Sequence, residues 1–402
     1  MDTDVSPQGW LRDSPGAVYQ LFRHHLTPLT KSDVARHSGL SRSAINARIA
    51  PLIDSGLLGP ADTQGATGGR PAERFELNAG WGLLLIADMG ATAIRAAVCD
   101  LRATFLAEKT APVDITSGPE AILAVIGGMF DELLASTGRL PADVVGVGLD
   151  VPGPVDHELG RVVRPPIMPG WHDYDIPAFF KDRFSCPVLV EKDTNAMALG
   201  EQSLNHSAIS DLVFVKLGTG IGTGMVLRGS IYRGADGAAG DIGHIPIESR
   251  SDEGSPPICR CGNYGCLEAY VSGWAFVREL ESSGFDVKSV DDAVQLIRAR
   301  EPAAVELVRR SADVIGTSIS HLVNIVNPRR IVIGGQIAGV DDSLIAGIRE
   351  TVYRRSLPLA TRDLEIVPST LGSRAGVYGL ARLVLDDVLV PERIDHILSM
   401  VA

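Results

Sequence analysis

The sequence predicts an α/β protein in which a helical N-terminal segment precedes a larger part made of two similar halves. The 402 residues, 45% hydrophobic and 21% charged, are enough to bury two or three cores. Apolar residues follow helical spacing before residue 55, whereas later they form short strands that end in glycine-rich turns. We therefore expect a small domain at residues 1–78 and a larger domain at residues 79–402.

Charge is distributed unevenly along the chain. Residues 1–78 contain eight Lys/Arg and eight Asp/Glu, so the whole net charge of −12 belongs to residues 79–402. Between Arg23 and Arg74 the basic residues exceed the acidic ones by three. This distribution argues against a surface that binds polyanions everywhere, and it makes the N-terminal segment electrostatically distinct.

The first residues, MDTDVSPQGW, contain neither the basic region nor the apolar stretch of a secretory signal. The longest apolar runs are strand-sized, well below the roughly 18–20 residues that are needed to cross a bilayer. We expect a soluble, cytoplasmic protein without a membrane partner.

The N-terminal segment has the pattern of a helix-turn-helix. Val18, Leu21 and Phe22 share one helix face, and two helical stretches, SDVARHSG and SRSAINARIAPLIDSG, follow on either side of Gly39. In this arrangement the first turns of the second helix face the DNA major groove. The residues predicted to approach base edges are Ser41, Arg42, Ser43 and Asn46, and Arg48 is predicted to contact phosphate.

The next stretch, LLGPADTQGATGGRPAERFELN, predicts a two-stranded wing with a glycine-rich tip. Arg70 stands between Gly69 and Pro71 at this tip, in a shape that suits a narrow minor groove. The alternative is an ordinary three-helix bundle with a solvated loop arginine. Together the helix-turn-helix and the wing favour DNA binding.

Two glycine-rich turns stand at matching places in the larger domain. In LLLIADMGATAIRAAVCD the turn has the pattern D-x-G-x-T, and in LVFVKLGTGIGTGMVLRG it has the pattern G-T-G-x-G-x-G. Such turns can present backbone N–H groups to phosphates, and an aspartate beside them could hold Mg²⁺. The alternative is that the glycines only permit a positive φ. The residues concerned are Asp88, Gly90 and Thr92 in the first turn, and Gly218, Thr219, Gly220, Gly222 and Gly224 in the second.

A carboxylate lies where a strand meets a helix in VLVEKDTNAMALGEQ. Asp193 could accept a proton from a substrate hydroxyl there while the glycine-rich turns hold the γ-phosphate of ATP. The alternative is that Asp193 only caps its helix. Just upstream, the proline-rich RPPIMPGWHDYDIPAFF predicts a loop with an exposed Trp171.

Three of the five cysteines lie within the stretch ICRCGNYGCLE. A preceding histidine completes the pattern H-x14-C-x-C-x4-C, which matches a closed, four-coordinate structural zinc site. The predicted ligands of this zinc knuckle at residues 244–268 are His244, Cys259, Cys261 and Cys266. The alternative is a group of reduced thiols without a metal. Cys99 and Cys186 lie in or beside apolar strands, and we expect them to be buried thiols.

Six motifs in order give the chain a resemblance to a known family. Between residue 83 and about residue 385 they are DMGAT, GLDVPGPVD, EKDTNAMALGE, LGTGIGTG, GAAGDIGH and CRCGNYGCLE. The chain resembles the ROK family of repressors, open reading frames and sugar kinases. The resemblance implies an actin-like, two-lobed fold of the hexokinase type, built from ribonuclease H-like repeats, with a sugar in the cleft and the zinc knuckle beside it. It also implies that VNPRRIVIGG, which includes Gly334 and Gly335, lies on the adenosine side.

The resemblance further implies roles for individual residues. The implied roles are a catalytic base for Asp193, phosphate contacts for Asp88, Thr92 and residues 218–224, and sugar contacts for Glu268 and for His244 as a zinc ligand. Two positions depart from the pattern of the kinases: Lys192 stands where they usually have Asn, and Asp241 stands where they have Glu. Lysine only donates hydrogen bonds and aspartate is one methylene shorter, so both changes alter the groups expected to contact the sugar.

Two functions from different classes follow. The first is a DNA-binding transcriptional regulator of carbohydrate metabolism, foremost a repressor, that binds operator DNA and a sugar or sugar-phosphate effector. The second is an ATP-dependent, glucokinase-like sugar kinase that uses ATP and Mg²⁺ and carries a DNA-binding segment. The first is favoured because a winged helix has no use in catalysis, whereas a retained cleft suits a sensor. Family likeness also suggests a homodimer or homotetramer, which would match a two-fold operator.

Overall fold

The computed structural model describes residues 14–25, 27–61, 73–247 and 255–401. The tip of the predicted wing, with Arg70, lies outside these residues. No helix within the described ranges is both long and apolar enough to cross a membrane.

Fifteen strands and fourteen α-helices are present in the described residues. The strands are β1 (Leu29–Thr30), β2 (Leu58–Pro60), β3 (Arg74–Leu77), β4 (Leu83–Met89), β5 (Ala93–Cys99), β6 (Phe105–Pro112), β7 (Val144–Val151), β8 (Val155–Asp156), β9 (Arg161–Val162), β10 (Val188–Lys192), β11 (Leu212–Leu217), β12 (Ile221–Leu227), β13 (Ser230–Ile231), β14 (Arg330–Gly334) and β15 (Glu365–Pro368). The helices are α1 (Pro15–His24), α2 (Lys31–Ser38), α3 (Arg42–Asp54), α4 (Pro119–Thr137), α5 (Ile176–Phe180), α6 (Asp193–Asn205), α7 (Glu268–Val271), α8 (Gly273–Ser282), α9 (Val290–Arg298), α10 (Pro302–Val326), α11 (Asp342–Arg355), α12 (Pro358–Thr361), α13 (Ala375–Val388) and α14 (Pro391–Val401).

Three helices and three short strands form the N-terminal part. The Ser14 hydroxyl accepts a hydrogen bond from the Ala17 N–H at the start of α1, and the Ser41 hydroxyl accepts one from the Ala44 N–H at the start of α3. Gly39 ends α2 in the left-handed conformation, with φ of 70°, which glycine adopts without strain. β3 pairs antiparallel with both β1 and β2. The three helices and the wing strands β2 and β3 therefore lie where the sequence predicts them, whereas β1 was not predicted.

The larger part contains two five-stranded sheets of the same topology. Their strand orders are β10-β7-β4-β5-β6 and β13-β12-β11-β14-β15. In each sheet an antiparallel hairpin, β4–β5 or β11–β12, continues into two parallel strands. Both glycine-rich turns connect the strands of these equivalent hairpins, so the repetition seen in the sequence is a repetition of the fold.

Helices α6 and α13 join the two halves. Each follows the last strand of its own sheet, and they cross where Gly200 faces Gly379. A Cβ on Gly379 would lie 1.7 Å from the carbonyl oxygen of Ala196, and a Cβ on Gly200 would lie 2.1 Å from that of Ala375. The two helix backbones are therefore in direct contact. This contact requires glycine at both positions, because any side chain would overlap the facing backbone.

The C-terminal helix α14 packs against α1 in the N-terminal part. The N–H of Gly16 donates to the Asp395 carboxylate at 2.7 Å, and the buried Gln20 amide donates to the Leu389 carbonyl at 2.5 Å. Apolar side chains from α1, α13 and α14 belong to one continuous core. The boundary predicted at residue 78 stays a prediction, because this shared core extends across it.

Trp171 is fully buried, so the prediction of an exposed side chain was wrong. Its ring lies in the core of the first sheet, 6.3 Å from the ring of Tyr174. Burying a side chain of this size removes much apolar surface from water, and the proline-rich loop folds back over the sheet to do so. Of the two remaining cysteines, Cys99 is buried as predicted and Cys186 is half-buried.

Candidate functional site

A cleft of about 390 Å³ lies between the two sheets and is lined by both glycine-rich turns. Twelve of the predicted small-molecule contacts line it together. These residues are Asp88, Gly90, Thr92, Lys192, Asp193, Gly218, Thr219, Gly220, Gly222, Asp241, His244 and Glu268. Gly335 also lines the cleft, whereas Gly334 does not, because it packs against the ring of Phe214 in the sheet.

The two departures from the kinase pattern contact each other. The ammonium group of Lys192 donates a hydrogen bond to the Asp241 carboxylate, with a distance of 2.5 Å between Nζ and Oδ1. The Lys192 side chain is only 5% exposed, and that of Asp241 is 32% exposed. A buried ammonium group needs such a partner, so the two substitutions form one unit on the wall of the cleft.

Asp193 is the first residue of α6 and faces a second lysine. Its Oδ1 accepts the N–H of Thr194 at 2.6 Å, and its Oδ2 accepts a hydrogen bond from Nζ of Lys216 at 2.5 Å. The carboxylate therefore contacts the N terminus of its own helix and also lines the cleft. Both interpretations of Asp193 made from the sequence are compatible with this geometry.

Two further carboxyl groups lie beside this ion pair. Asp150 is fully buried at the end of β7, and its Oδ1 accepts the N–H of Met89 at 2.9 Å. Burial raises the pKa of Asp88, partly offset by Lys216, and burial together with the Asp88 charge raises the pKa of Asp150 further. Burial alone would lower the pKa of Lys216, but the field of Asp193, Asp88 and Asp150 outweighs it and raises that pKa.

The raised carboxyl pKa values predict a pH effect on stability. A carboxyl whose pKa is higher in the folded than in the unfolded protein stabilises the fold fully below its unfolded pKa, and this contribution is lost as pH rises through the folded pKa. Asp150→Asn keeps an acceptor for the Met89 N–H but cannot ionise. We therefore expect it to raise the free energy of unfolding at pH 7.5, because Asn carries no charge that burial could penalise.

Urea unfolding of wild type and Asp150→Asn at pH 4 and at pH 7.5 measures this effect, with the exposed Asp182→Asn as the control. The advantage of Asp150→Asn should shrink toward pH 4. An equal difference at both pH values would contradict the assignment of a raised pKa.

The four residues predicted as zinc ligands lie together and are called the Cys/His cluster below. Their ligand atoms all lie within 4.8 Å of one another. Cys259 Sγ is 3.7 Å from His244 Nδ1, and Cys261 Sγ is 3.8 Å from Cys266 Sγ. Burial raises the pKa of the Cys259 thiol to about 12, so a cation bound here must displace thiol protons. The cluster is a candidate metal site.

The Cys/His cluster adjoins the cleft through two side chains. His244 turns Nδ1 toward the cysteines and itself lines the cleft. Glu268 is buried, and its Oε2 accepts the N–H of Ile221 at 2.9 Å while its Oε1 accepts the indole N–H of Trp274 at 3.4 Å. These hydrogen bonds hold the Glu268 carboxylate beside the second glycine-rich turn.

Four residues that line or adjoin the cleft were not found from the sequence. Arg260 stacks on Trp274 with its guanidinium 5.0 Å from the ring centroid, and both line the cleft beside the Cys/His cluster. Asp150 and Lys216 are the other two. Each is a charged residue inside an otherwise apolar strand, in VVGVGLDV and LVFVKL, and this pattern is the signal that could have revealed them.

Four of the predicted DNA contacts lie on one face at the start of α3. Ser41, Arg42, Ser43 and Asn46 are exposed. Arg48 is half-buried, and its guanidinium donates to the carbonyl oxygen of Ala44 at 3.1 Å. The base and phosphate contacts themselves stay predictions.

The paired sheets with a cleft between them define a two-lobed fold of the hexokinase type. Residues 85–387 match the ROK family, so the chain belongs to that family and the resemblance is confirmed. A xylose repressor of Bacillus spizizenii is 26% identical over 367 residues, which cover 90% of this chain and 92% of that protein. A glucokinase of Halalkalibacterium halodurans is 30% identical over 307 residues, which cover 73% of this chain and 92% of that protein.

A solved structure of a ROK family transcriptional regulator, a homologue of the E. coli MLC protein, has the same architecture. It superposes with a TM-score of 0.77 at 25% identity, and the match covers 96% of this chain and 97% of that one. Regulators thus match nearly the full length, whereas the glucokinase matches a smaller share.

Proposed function

We propose that the chain is a sugar-responsive transcriptional repressor whose N-terminal part is a winged helix-turn-helix and whose cleft binds the effector. The observation that carries the proposal is the attachment of three helices and an antiparallel hairpin, with an exposed polar face on α3, to a ROK cleft. A repressor relative and a regulator structure, each similar over at least 90% of this chain, support it. Domain boundaries at residues 78 and 79, and a homodimer or homotetramer, are part of the proposal.

Zinc fits the Cys/His cluster. In a tetrahedral site with Zn–S bonds of about 2.3 Å, neighbouring sulfurs lie about 3.8 Å apart. The sulfur-to-sulfur distance of 3.8 Å between Cys261 and Cys266 agrees with this edge length. Zinc would join two segments of the chain and hold the His244 ring in one orientation, leaving Nε2 for a sugar hydroxyl.

The sugar would lie among the polar side chains of the cleft between the Cys/His cluster and α6. Glu268 supplies a fixed acceptor, and the pair of Lys192 and Asp241 supplies both a donor and an acceptor. Buried polar groups that need such partners discriminate strongly between hydroxyl patterns.

A physical route joins this cleft to the DNA-binding part. Helix α6 begins at Asp193 in the cleft and crosses α13 in backbone contact. Leu389, directly after α13, and Asp395 in α14 both accept hydrogen bonds from α1. A sugar that moves the start of α6 toward α13 would shift α13 and α14 with it, because the backbone contact leaves no space between the two helices.

The test uses the full chain and operator fragments that it selects from random DNA. Fluorescence anisotropy should show that at least one sugar from a panel of hexoses, pentoses and their phosphates changes the operator Kd at least tenfold. The same samples should release no ADP from ATP with any of these sugars. Sugar-dependent ADP release without selected DNA binding would instead support the kinase alternative.

A substitution at the start of α3 separates reading of bases from general attraction to DNA. Arg42→Ala should cost about 1–3 kcal/mol of operator binding and relax the sequence preference at one position of each half-site. Arg48→Ala should weaken binding to all sequences alike. The measurement is binding to operator variants with single base changes, with the exposed Arg309→Ala on α10 as the control. An unchanged sequence preference in Arg42→Ala would contradict the assignment.

A further inference from the structure

We propose that Lys216 is an internal cation that takes the place of a divalent metal in the cleft, so that the cleft binds neither Mg²⁺ nor the phosphates of ATP. The inference goes beyond the proposed function, which does not depend on it. It rests on one ammonium group among three carboxyl groups.

The position of Lys216 is fixed by the second sheet. It lies in the middle strand β11, paired with Gly222 on one side and Gly334 on the other, one residue before the strand ends. Its side chain is 20% exposed, and its Nζ lies 2.5 Å from Oδ2 of Asp193. The ammonium therefore stands at the junction of the two lobes, next to both glycine-rich turns.

Three carboxyl groups surround this ammonium. Asp193 is in direct contact, and Asp88 and Asp150 act on Lys216 from the ends of β4 and β7. The other nearby cations have different partners, because Lys192 binds Asp241 and Arg95 donates to Ser373. Within the described residues, Lys216 is the cation that directly contacts this carboxyl group cluster, and Arg95 adds a smaller stabilisation of the charged form of Asp88.

A hydrated divalent cation needs the same oxygens. Mg²⁺ binds carboxylates at about 2.0–2.1 Å and would have to lie beside the ammonium group while displacing it from Asp193. Without the metal, phosphate gains no free cation from Lys216, because the ammonium group of Lys216 is already paired with Asp193. ATP with Mg²⁺, which the resemblance implies, therefore does not fit the residues that line this part of the cleft.

Mn²⁺ is the probe, because free and bound Mn²⁺ are distinguished by electron paramagnetic resonance. The samples are the zinc-loaded full chain, Lys216→Met, Asp88→Asn, the double variant Lys216→Met with Asp88→Asn, and Lys288→Met. The last of these removes a lysine that is 70% exposed. Wild type and Lys288→Met should show no saturable Mn²⁺ site up to about 1 mM. Lys216→Met should gain one Mn²⁺ site per chain, with a Kd at least tenfold below the highest concentration tested. The double variant with Asp88→Asn should lack this site.

Thermal unfolding supplies a second measurement. Loss of the ammonium leaves Asp193 without its partner, so Lys216→Met should unfold at a lower temperature than wild type without metal, and Mn²⁺ should restore the midpoint. Wild type should not respond to Mn²⁺.

One Mn²⁺ per wild-type chain that disappears in Asp88→Asn would overturn the proposal, and so would a folded Lys216→Met protein that binds none. The comparison of wild type with Asp88→Asn tests the proposal even if Lys216→Met fails to fold. Operator binding is assayed separately, so metal binding by wild type would leave the proposed repressor intact, and failure to bind DNA would leave the role of Lys216 intact.

Discussion

Gly379→Ala is expected to lower the free energy of unfolding by about 3 kcal/mol or more, which is the upper end of the cost of adding atoms to a packed core. The added Cβ would lie 1.7 Å from the carbonyl oxygen of Ala196 and 2.9 Å from the amide nitrogen of Gly200. Both are backbone atoms, so no side-chain rotation relieves the overlap and α6 must separate from α13. Urea unfolding followed by circular dichroism measures the change.

Gly128→Ala is the matched control, because Gly128 is also a helical glycine but is exposed with open space around its Cβ position. It should gain up to about 1 kcal/mol from better helix propensity. Equal effects of the two substitutions would show that the helix crossing is not tightly constrained. Folded Gly379→Ala protein should also lose part of its sugar response, since the route from the cleft to α14 passes through this crossing.

Cys266→Ser is expected to abolish the response to sugar while operator binding without sugar stays within a few-fold of wild type. A serine hydroxyl is a poor zinc ligand, and loss of the metal frees His244 on one side of the cleft. Glu268 lies two residues after Cys266, so loss of the metal would also displace the Glu268 carboxylate from the cleft. The measurement is the operator Kd with and without the effective sugar, together with zinc content by mass spectrometry.

The control for this prediction is Cys186→Ser, which replaces a half-buried thiol outside the Cys/His cluster. It should retain zinc and respond normally. The large sheets do not depend on the cluster for their core, so the loss should stay local, unlike the unfolding of a small zinc finger without metal. Wild type without zinc, or a Cys266→Ser protein with a normal response, would exclude the cluster from the sensor.

The sequence by itself determined the features that depend on neighbouring residues. Helical spacing, the glycine at position 39 and the capping Ser41 predicted α1 to α3, because caps and periodic burial act within a few turns. Strands ending in glycine-rich turns predicted both hairpins, and the spacing of His244 and three cysteines predicted the Cys/His cluster. Ligand spacing within a short segment limits where those atoms can lie, so little of the remaining fold is needed.

Only the tertiary structure decided which distant residues meet. Lys216 and Asp193 lie on different elements, as do Gly200 and Gly379, and no local pattern states that either pair is in contact. Trp171 was placed on the wrong side of its loop, because proline content predicts a turn but not the direction of a side chain. Burial strengthens the interactions between these distant residues. A lysine that faces water is an ordinary surface charge, but among three carboxyl groups in a cleft its position determines which ligands can bind.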